Sequence, residues 1–400
     1  MVNYVFLSVY FYSVPNLRFN GYTENWQKYR TIELGQMQRG KSKHRPRDDE
    51  KLYGGAYPFI QTGDIKKANL YIKEYERTYS NYGLSQSKLW SKGTLCITIA
   101  ANIAETAILG LNACFPDSVI GWISNEKITN NIFIKYYFDF YKTQLKRLSV
   151  GGAQENLNLD KLENVYFHIP TLPEQNDITN LLTKIDELIE TQIKIIELKQ
   201  SLIKDIEDKL LWKSASTYSR HISDFLTELN DKSKIQNQYP LLSSTKKGLF
   251  LQTDYFNKEA ASSNNIGYKI VHEGDIIISP QNLWMGNITY NDKFVNGLVS
   301  PSYRIYKVKE EYNAYYISRI LMSYRALSLY KNISEQGASI VRRNLNVDAF
   351  NELCFPIPNI KKQDEVSLFL SKLHQELNSE IEILRQLKNQ KKYLLCNMFI

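Results

Sequence analysis

The chain has 400 residues, of which 43% are hydrophobic and 23% charged, and it carries a formal net charge of +8. This length is more than one ordinary hydrophobic core accommodates and predicts two domains, while the composition excludes disordered and fibrous proteins. The basic excess is compatible with a polyanionic partner such as nucleic acid, although charge alone does not require one.

The sequence opens with an apolar stretch, YVFLSVYFYSV, over residues 4–14. It is too short to span a bilayer, and it lacks the basic start and small-residue cleavage site of a signal peptide. We interpret residues 1–13 as an N-terminal extension. Because the four cysteines show no C-x-x-C spacing, we expect free thiols in a reducing compartment. We therefore expect a cytoplasmic protein with no membrane partner.

The segment GQMQRGKS, Gly35–Ser42, matches the phosphate-loop pattern G-x-x-x-x-G-K-[ST] letter for letter. A working phosphate loop follows a buried strand and opens a helix, whose N-terminal N–H groups hold the phosphates. The residues before it make a poor buried strand, and Pro46 with Gly54 and Gly55 after it disfavours a helix. A basic surface loop is the favoured interpretation, and an ATP-binding enzyme remains an alternative.

Basic residues cluster in the same region and are candidates for contact with DNA phosphates. A run of this kind is also typical of a solvated loop, so the sequence leaves both interpretations open. The candidates in this half of the chain are Arg39, Lys41, Lys43, Arg45, Arg47, Lys66 and Lys67.

A mixed α/β domain is predicted for the first half of the chain. The stretch KGTLCITIA, residues 92–100, has the pattern of a strand that follows a charged residue and a glycine, and residues 131–148 form an aromatic-rich, basic helical pattern. The five histidines are scattered and no carboxylate pair has a recognisable spacing, so no catalytic and no metal site is predicted.

An internal repeat organises the chain. NLNLDKLENVYFHIPTLPEQ, residues 156–175, aligns without gaps with NLNVDAFNELCFPIPNIKKQ, residues 344–363, at an offset of 188. A repeat of this density indicates that one structural unit occurs twice. The identical pairs are Asn156/Asn344, Leu157/Leu345, Asn158/Asn346, Asp160/Asp348, Phe167/Phe355, Ile169/Ile357, Pro170/Pro358 and Gln175/Gln363.

After each repeat motif, apolar residues recur at alternating spacings of four and three. This is the pattern of a coiled-coil seam. A helix over residues 175–213 would be roughly 55 Å long at 1.5 Å per residue. The seam residues are Ile178, Leu182, Ile185, Ile189, Ile196, Ile203 and Leu210 in the first copy, and Val366, Leu370, Leu373, Leu377, Leu384 and Leu394 in the second. Two amphipathic helices on separate cores are the alternative; the matching lengths favour one antiparallel pair.

The second half repeats the plan of the first. Residues 214–219, SASTYS, are interpreted as a linker, EGDIIISP at 273–280 as a strand, and residues 312–330 as a helix. Gln and Asn side chains can read adenine edges, and basic residues can contact phosphates, although a polar loop packed by Trp284 is as good an interpretation. The candidates are Lys246, Lys247, Gln281, Asn282, Trp284, Arg342 and Arg343.

The central sequence GGAQENLNLDKLENVYFHIPTLPEQNDITNLLTKIDELIE, residues 151–190, resembles the central conserved region of type I restriction–modification specificity subunits. VPNLRFNGYTENWQKYRTIELG, residues 14–35, is similar to the usual opening of that family, and GLVSPSYRIYK, residues 297–307, to a segment of its second recognition domain. The second copy departs from the pattern, with IPNIKKQ in place of the LPEQ motif and His374 at the position of Asp186.

The resemblance implies a non-catalytic subunit in the cytoplasm of a bacterium. Two target-recognition domains would each read one half of a bipartite site in double-stranded DNA. The seam helices would dock two modification subunits, which methylate adenine with S-adenosylmethionine. Restriction subunits, where present, would use ATP and Mg²⁺. This chain itself would bind no cofactor.

The predicted fold class is α/β (α+β). Two similar globular domains are joined by two long helices that form an antiparallel coiled coil with a pseudo-twofold repeat. The predicted bounds are 14–155 for the first recognition domain, 156–217 for the central conserved region, 218–343 for the second recognition domain and 344–400 for the distal conserved region. A protein-only assembly scaffold is a further alternative function.

Overall fold

The computed structural model describes residues 14–149, 157, 159–213, 217–246, 248–255, 264–336 and 343–400. Contacts between residues divide the chain into two compact units. The first runs to Lys194 and includes Glu382–Ile400, and the second comprises Ile195–Ile381. Each unit therefore contains one segment of each long helix. The N-terminal extension predicted for residues 1–13 lies outside the described residues.

The first unit is a mixed α/β domain. Its elements are β1 (Gln27–Arg30), α1 (Thr31–Leu34), β2 (Gly35–Arg39), β3 (Tyr53–Phe59), α2 (Thr62–Lys67), β4 (Tyr71–Ile72), β5 (Arg77–Tyr79), α3 (Asn81–Ser85), β6 (Leu95–Thr98), β7 (Thr106–Leu109), β8 (Val119–Ser124), α4 (Asn131–Ser149), α5 (Leu159–Glu163), β9 (Tyr166–Ile169) and the long helix α6 (Leu172–Trp212).

The central sheet of the first unit has the strand order β2-β8-β6-β7-β4. Strands β4 and β7 are parallel and the other neighbours antiparallel. The strand predicted within residues 92–100 is β6, and all four of its residues are buried. Helix α4 covers the sheet, and Trp122 of β8 meets Phe138 of α4 edge to face at 5.9 Å.

The second unit has the same class of architecture. Its elements are β10 (Thr217–His221), α7 (Ile222–Phe225), β11 (Leu226–Leu229), β12 (Leu242–Thr245), β13 (Gly248–Leu251), α8 (Gln252–Tyr255), β14 (Lys269–His272), β15 (Ile276–Ile278), β16 (Ile288–Tyr290), β17 (Asn296–Val299), β18 (Arg304–Val308), α9 (Ala314–Leu321), α10 (Tyr324–Asn332), β19 (Ser334–Gln336), β20 (Arg343–Leu345), α11 (Val347–Asn351), β21 (Cys354–Pro358) and the long helix α12 (Ile360–Met398). Its main sheet has the order β11-β18-β15-β16.

Two local predictions for the second unit need correction. The helix expected over 312–330 is divided into α9 and α10, because the Ser323 hydroxyl caps a new helix by accepting from the Ala326 N–H and donating to the Ile320 carbonyl. The linker expected over 214–219 is shorter, because Thr217–His221 pairs as a strand with Cys354–Pro358.

The 188-residue repeat is visible in the structure of both units. In each, a strand pairs with the strand of the repeat motif, with Ile169 opposite Gln27 in the first unit and Ile357 opposite Tyr218 in the second. In each, a four-residue helix, α1 or α7, follows the pairing strand. The predicted duplication is therefore a duplication of structure.

Within each unit the two helix segments run antiparallel. In the second unit the Lys199 ammonium lies 2.8 Å from the Glu380 carboxylate, and the Glu207 carboxylate, further along α6, lies 3.6 Å from His374, earlier in α12. In the first unit Lys391 pairs with Asp186. The mixed α/β class with two domains and paired long helices is confirmed.

The structure buries the predicted seam unevenly. Six positions of α6 and three of α12 are buried: Ile178, Leu182, Ile185, Ile189, Ile196, Ile203, Val366, Leu370 and Leu394. Leu210, Leu373, Leu377 and Leu384 are half-buried. Apolar side chains outside the seam are exposed on both helices, among them Leu198 and Leu202 of α6 and Leu368 of α12.

Candidate nucleic-acid interface

A basic loop follows β2 in the first unit. Its backbone is held by helix α3 and the residues after it, since Lys43 N–H donates to the Gln86 carbonyl at 3.1 Å and the Ser87 hydroxyl donates to the Lys41 carbonyl at 2.7 Å. The Lys51 N–H, which donates to the Asp49 carboxylate, lowers the pKa of that carboxyl, and His44, 2.8 Å from Asp49, lowers it further. The exposed side chains of this loop are therefore displayed from an ordered backbone.

The cationic groups of the loop differ in their surroundings. Arg47 makes two hydrogen bonds to the Asp117 carboxylate, at 2.8 and 2.9 Å, and Arg45 lies 3.9 Å from the same group. Within the described ranges no ion pair involves Arg39, Lys41 or Lys43, all of which are exposed. These three are the better candidates for phosphate contact, because Arg47 and Arg45 share a neutralising carboxylate.

The phosphate-loop match does not have phosphate-loop geometry. Gly35–Arg39 is an extended strand at the edge of the sheet, paired in register with β8 from Gly35 opposite Ser124 to Arg39 opposite Ile120. The residues that follow form a loop and then a short 3₁₀ turn at Glu50–Leu52. A nucleoside triphosphate needs N–H groups converging at a helix N-terminus, and the Gly35–Ser42 stretch is not followed by one.

A cleft of about 300 Å³ lies beside the basic loop. Its floor is aromatic, with Phe59 and Tyr79 stacked at 4.0 Å between ring centroids, and Arg77 lies over the Tyr53 ring at 5.1 Å. Gln61 contributes an amide to the lining. Sequence reasoning missed Arg77 because it stands alone between Glu76 and Thr78, with no local pattern to mark it.

Lys66 and Lys67 stand at the end of α2 and already have partners. The Lys66 ammonium donates to the Asn102 side chain at 3.2 Å. Lys67 pairs with Glu76, whose hydrogen bond raises the pKa of the lysine. Both side chains are exposed, so DNA would compete with these surface contacts.

Three predicted residues of the second unit come together although the chain separates them. Trp284 lies in a short 3₁₀ turn, Leu283–Met285, that follows β15, and Gln281 lies just before this turn. Arg343 is the first residue of β20. The Arg343 N–H donates to the Gln281 carbonyl at 3.2 Å, and its guanidinium lies over the Trp284 ring at 5.0 Å. The indole N–H of Trp284 has no hydrogen-bond partner among the described residues. Asn282 occupies the position before the turn, without a capping hydrogen bond from its side chain.

The remaining candidates of the second unit are more scattered. Lys246 is exposed in the turn between β12 and β13. Lys247 and Arg342 lie outside the described residues. The Lys293 ammonium, which was not among the predicted contacts, lies 5.8 Å from the centre of the Phe250 ring. Phe250 belongs to β13, the strand that follows this turn. The described candidates of this unit therefore lie at the start of a strand or in turns between strands.

Among the described residues, neither a metal centre nor a membrane-spanning helix is found. In the part of the chain that the structure describes, no group of three His, Cys, Asp or Glu residues is arranged to hold a metal ion. No helix there is long and apolar enough to cross a bilayer. The cysteines are free thiols, buried at Cys96 and Cys114 and exposed at Cys354 and Cys396.

Comparisons with known proteins converge on one family. Residues 23–200 match the family described as the type I restriction modification DNA specificity domain. The putative type I restriction enzyme MjaX specificity subunit of Methanocaldococcus jannaschii is 27% identical over 191 residues. That alignment covers 47% of this chain and 43% of the relative, so the chain matches less than half of the relative's length.

Solved structures resemble nearly the whole chain. An S subunit of a type I restriction–modification system from M. genitalium gives a TM-score of 0.58 at 14% identity, covering 97% of this chain and 99% of that one. A chain solved in work on assembly and conformational transition of the type I R-M system gives 0.54 at 11% identity, covering 92% and 96%. At such low identity the likeness is one of fold.

Proposed function

We propose, on the premise that this chain belongs to the family of type I restriction–modification specificity subunits, that it reads a bipartite site in double-stranded DNA. Each unit would read one half-site. The observation that carries the proposal is the duplication: in each unit a strand pairs with the strand of the repeat motif, and each unit displays basic, amide and aromatic side chains at strand ends and in the adjoining turns.

The contacts are divided by chemistry. Exposed cations at the end of β2 and in the loop after it, Arg39, Lys41 and Lys43, suit phosphates and would position the domain without reading sequence. Gln281 and Asn282 offer amides that can pair with adenine in the major groove, beside the Arg343 guanidinium. Two such modules on one chain convert two modest half-site affinities into one tight, spacing-dependent affinity.

Partners and chemistry are part of the same proposal. Two modification subunits would dock on α6 and α12, whose exposed apolar side chains, such as Leu198 and Leu368, supply contact area. Those subunits would carry S-adenosylmethionine and methylate adenine, and restriction subunits would use ATP and Mg²⁺. This chain would supply recognition alone.

The phosphate contacts are tested by measuring binding to duplex DNA across a salt series. Replacing Arg39, Lys41 and Lys43 with glutamine should weaken binding and reduce the slope of log K against log salt by roughly 2–3, since each phosphate contact contributes about 0.9. The matched control replaces three exposed lysines of the long helices, Lys184, Lys388 and Lys392, with glutamine and removes the same charge. Equal losses in both variants would contradict the assignment. Binding of the wild type that ignores salt and sequence would favour a protein-only scaffold.

A further inference from the structure

Each unit holds a charged contact between its two helix segments. In the first unit Asp186 of α6, 2% exposed, lies 2.6 Å from the Lys391 ammonium of α12 and accepts from the Tyr136 hydroxyl at 2.8 Å. Burial lowers the pKa of Lys391, and Asp186 opposes that shift. A buried carboxylate of this kind needs a partner of opposite charge.

In the second unit, different residues form the charged contacts between the two helix segments. Lys199 of α6 lies 2.8 Å from Glu380 and 3.7 Å from Glu376 of α12. Glu207 of α6 pairs with Arg319 at 2.6 Å and lies 3.6 Å from His374 of α12. The contacts of Lys199 with Glu380 and Glu376, and of Glu207 with His374, join α6 to α12, whereas Arg319 belongs to α9.

The repeat allows each contact between α6 and α12 to be compared with the contact that the same residue would make with a helix from a second molecule of this protein. Because the helices are related by an offset of 188 residues, a second α6 could take the place of α12 in the same register. The α12 residues Lys391, Glu380, Glu376 and His374 would then be replaced by their α6 equivalents, which are Ile203, Gln192, Leu188 and Asp186 in that order.

Pairing of α6 with a second α6 loses all of the opposite-charge contacts. Asp186 would face Ile203, Lys199 would face an amide and a leucine, and Glu207 would face the Asp186 carboxylate of the other copy. The last is a like-charge contact, and the first is a buried carboxylate without a cation.

Pairing of α12 with a second α12 is also mismatched. The equivalents of Asp186, Lys199 and Glu207 in α12 are His374, Leu387 and Leu395. Lys391 would therefore face His374 instead of a carboxylate, and Glu380 would face Leu387. Apolar residues recur at equivalent seam positions of the two helices, as at Leu182 and Leu370, whereas the charged residues at the contacts described above differ between the two helices.

We propose that Asp186–Lys391, Lys199–Glu380 and the Glu207 site form a pairing code that joins α6 to α12 of the same repeat pair and rejects a second copy of either helix. A duplicated seam would otherwise permit exchange between chains, because each helix presents similar apolar faces. The code depends on helix pairing alone and stands independently of DNA reading.

The test starts from the intact chain with a protease site inserted between Lys213 and Thr217. The folded protein is cut, unfolded in urea, refolded by dilution and examined by native mass spectrometry, which distinguishes pairs of unlike halves from pairs of like halves by mass. Pairs of unlike halves should exceed nine-tenths of all pairs. Like and unlike pairs in the random 1:2:1 proportion would overturn the proposal, as would failure of the two halves to recombine.

A charge variant makes the test specific to the code. Glu207→Lys would place an ammonium opposite Asp186 of a second copy, so pairs of two N-terminal halves should rise several-fold. Glu207→Gln is the matched control, because it removes the same contacts with Arg319 and His374 without attracting Asp186. Equal fractions of like pairs in the two variants would contradict the code.

Discussion

At the residue scale, one glutamine of the repeat motif has the same role in both units. The Gln175 amide donates to the Pro170 carbonyl at 2.9 Å and accepts from the Thr129 hydroxyl at 2.8 Å. The Gln363 amide donates to the Pro358 carbonyl at 2.8 Å and accepts from the Asn313 N–H at 2.9 Å. Each glutamine is buried. Each connects the turn before its long helix to the residues that precede another helix, α4 in the first unit and α9 in the second.

These glutamines predict a matched loss of stability. Gln175→Leu and Gln363→Leu should each lower the free energy of unfolding by about 1–3 kcal/mol, because each leaves buried backbone groups without partners. Urea unfolding monitored by circular dichroism measures the change. Gln200→Leu, at an exposed position of α6, is the control and should leave stability nearly unchanged. A loss at Gln175 with none at Gln363 would show that the two turns are not equivalent.

The neighbouring position shows where the two copies diverge. Glu174, buried in the first unit, accepts two hydrogen bonds from Arg18, at 2.7 and 2.8 Å, and one from the Trp26 indole at 3.2 Å. Lys362 replaces it in the second copy and pairs with Glu365 at 3.2 Å. Glu174 of the LPEQ motif therefore binds the segment before β1 through Arg18 and Trp26. In the second copy Lys362 instead pairs with Glu365 of its own helix.

At the element scale, the helix contacts differ in burial and should differ in energy. Asp186 and Lys391 are 2% and 14% exposed at their side chains, whereas Lys199 is 33% exposed. Removing one partner of a buried pair leaves the other charge unsolvated, but water replaces a partner at the surface.

Asp186→Asn should therefore destabilise the protein by about 3–5 kcal/mol, and Lys199→Gln by a small fraction of that loss. Chemical unfolding of the two variants side by side measures the difference. Asp186→Asn combined with Lys391→Met removes the stranded ammonium and should recover much of the loss. Equal destabilisation by Asp186→Asn and Lys199→Gln would contradict the assignment of Asp186 as a buried anchor.

The elements also show what the sequence could predict. The long helices follow from a periodic seam that occurs twice, and the strand at 95–98 from the pattern of residues 92–100. The partners of Asp186 could not be predicted, because Tyr136 and Lys391 come from elements 50 and more than 200 residues away. The contact of Arg343 with the Trp284 ring likewise joins residues that are far apart in the sequence. A cleft residue such as Arg77 carries no periodic signal at all.

At the scale of the whole molecule, duplication is the feature that connects structure to the proposed function. Two units of one architecture, each with its own exposed loops, are suited to a DNA site made of two separate halves. The loops can diverge while the strand pairs, turns and seam that carry them are retained. Recognition by one unit should therefore change without changing recognition by the other.

The most direct measurement is a map of methylated adenines in the genome of a cell that carries this chain and its modification subunit. The wild type should methylate one bipartite motif with a fixed spacer. Replacing Gln281, Trp284 and Arg343 with alanine should relax or abolish one half of the motif and leave the other half and the spacer unchanged. A single contiguous motif, or a change in both halves together, would contradict the account.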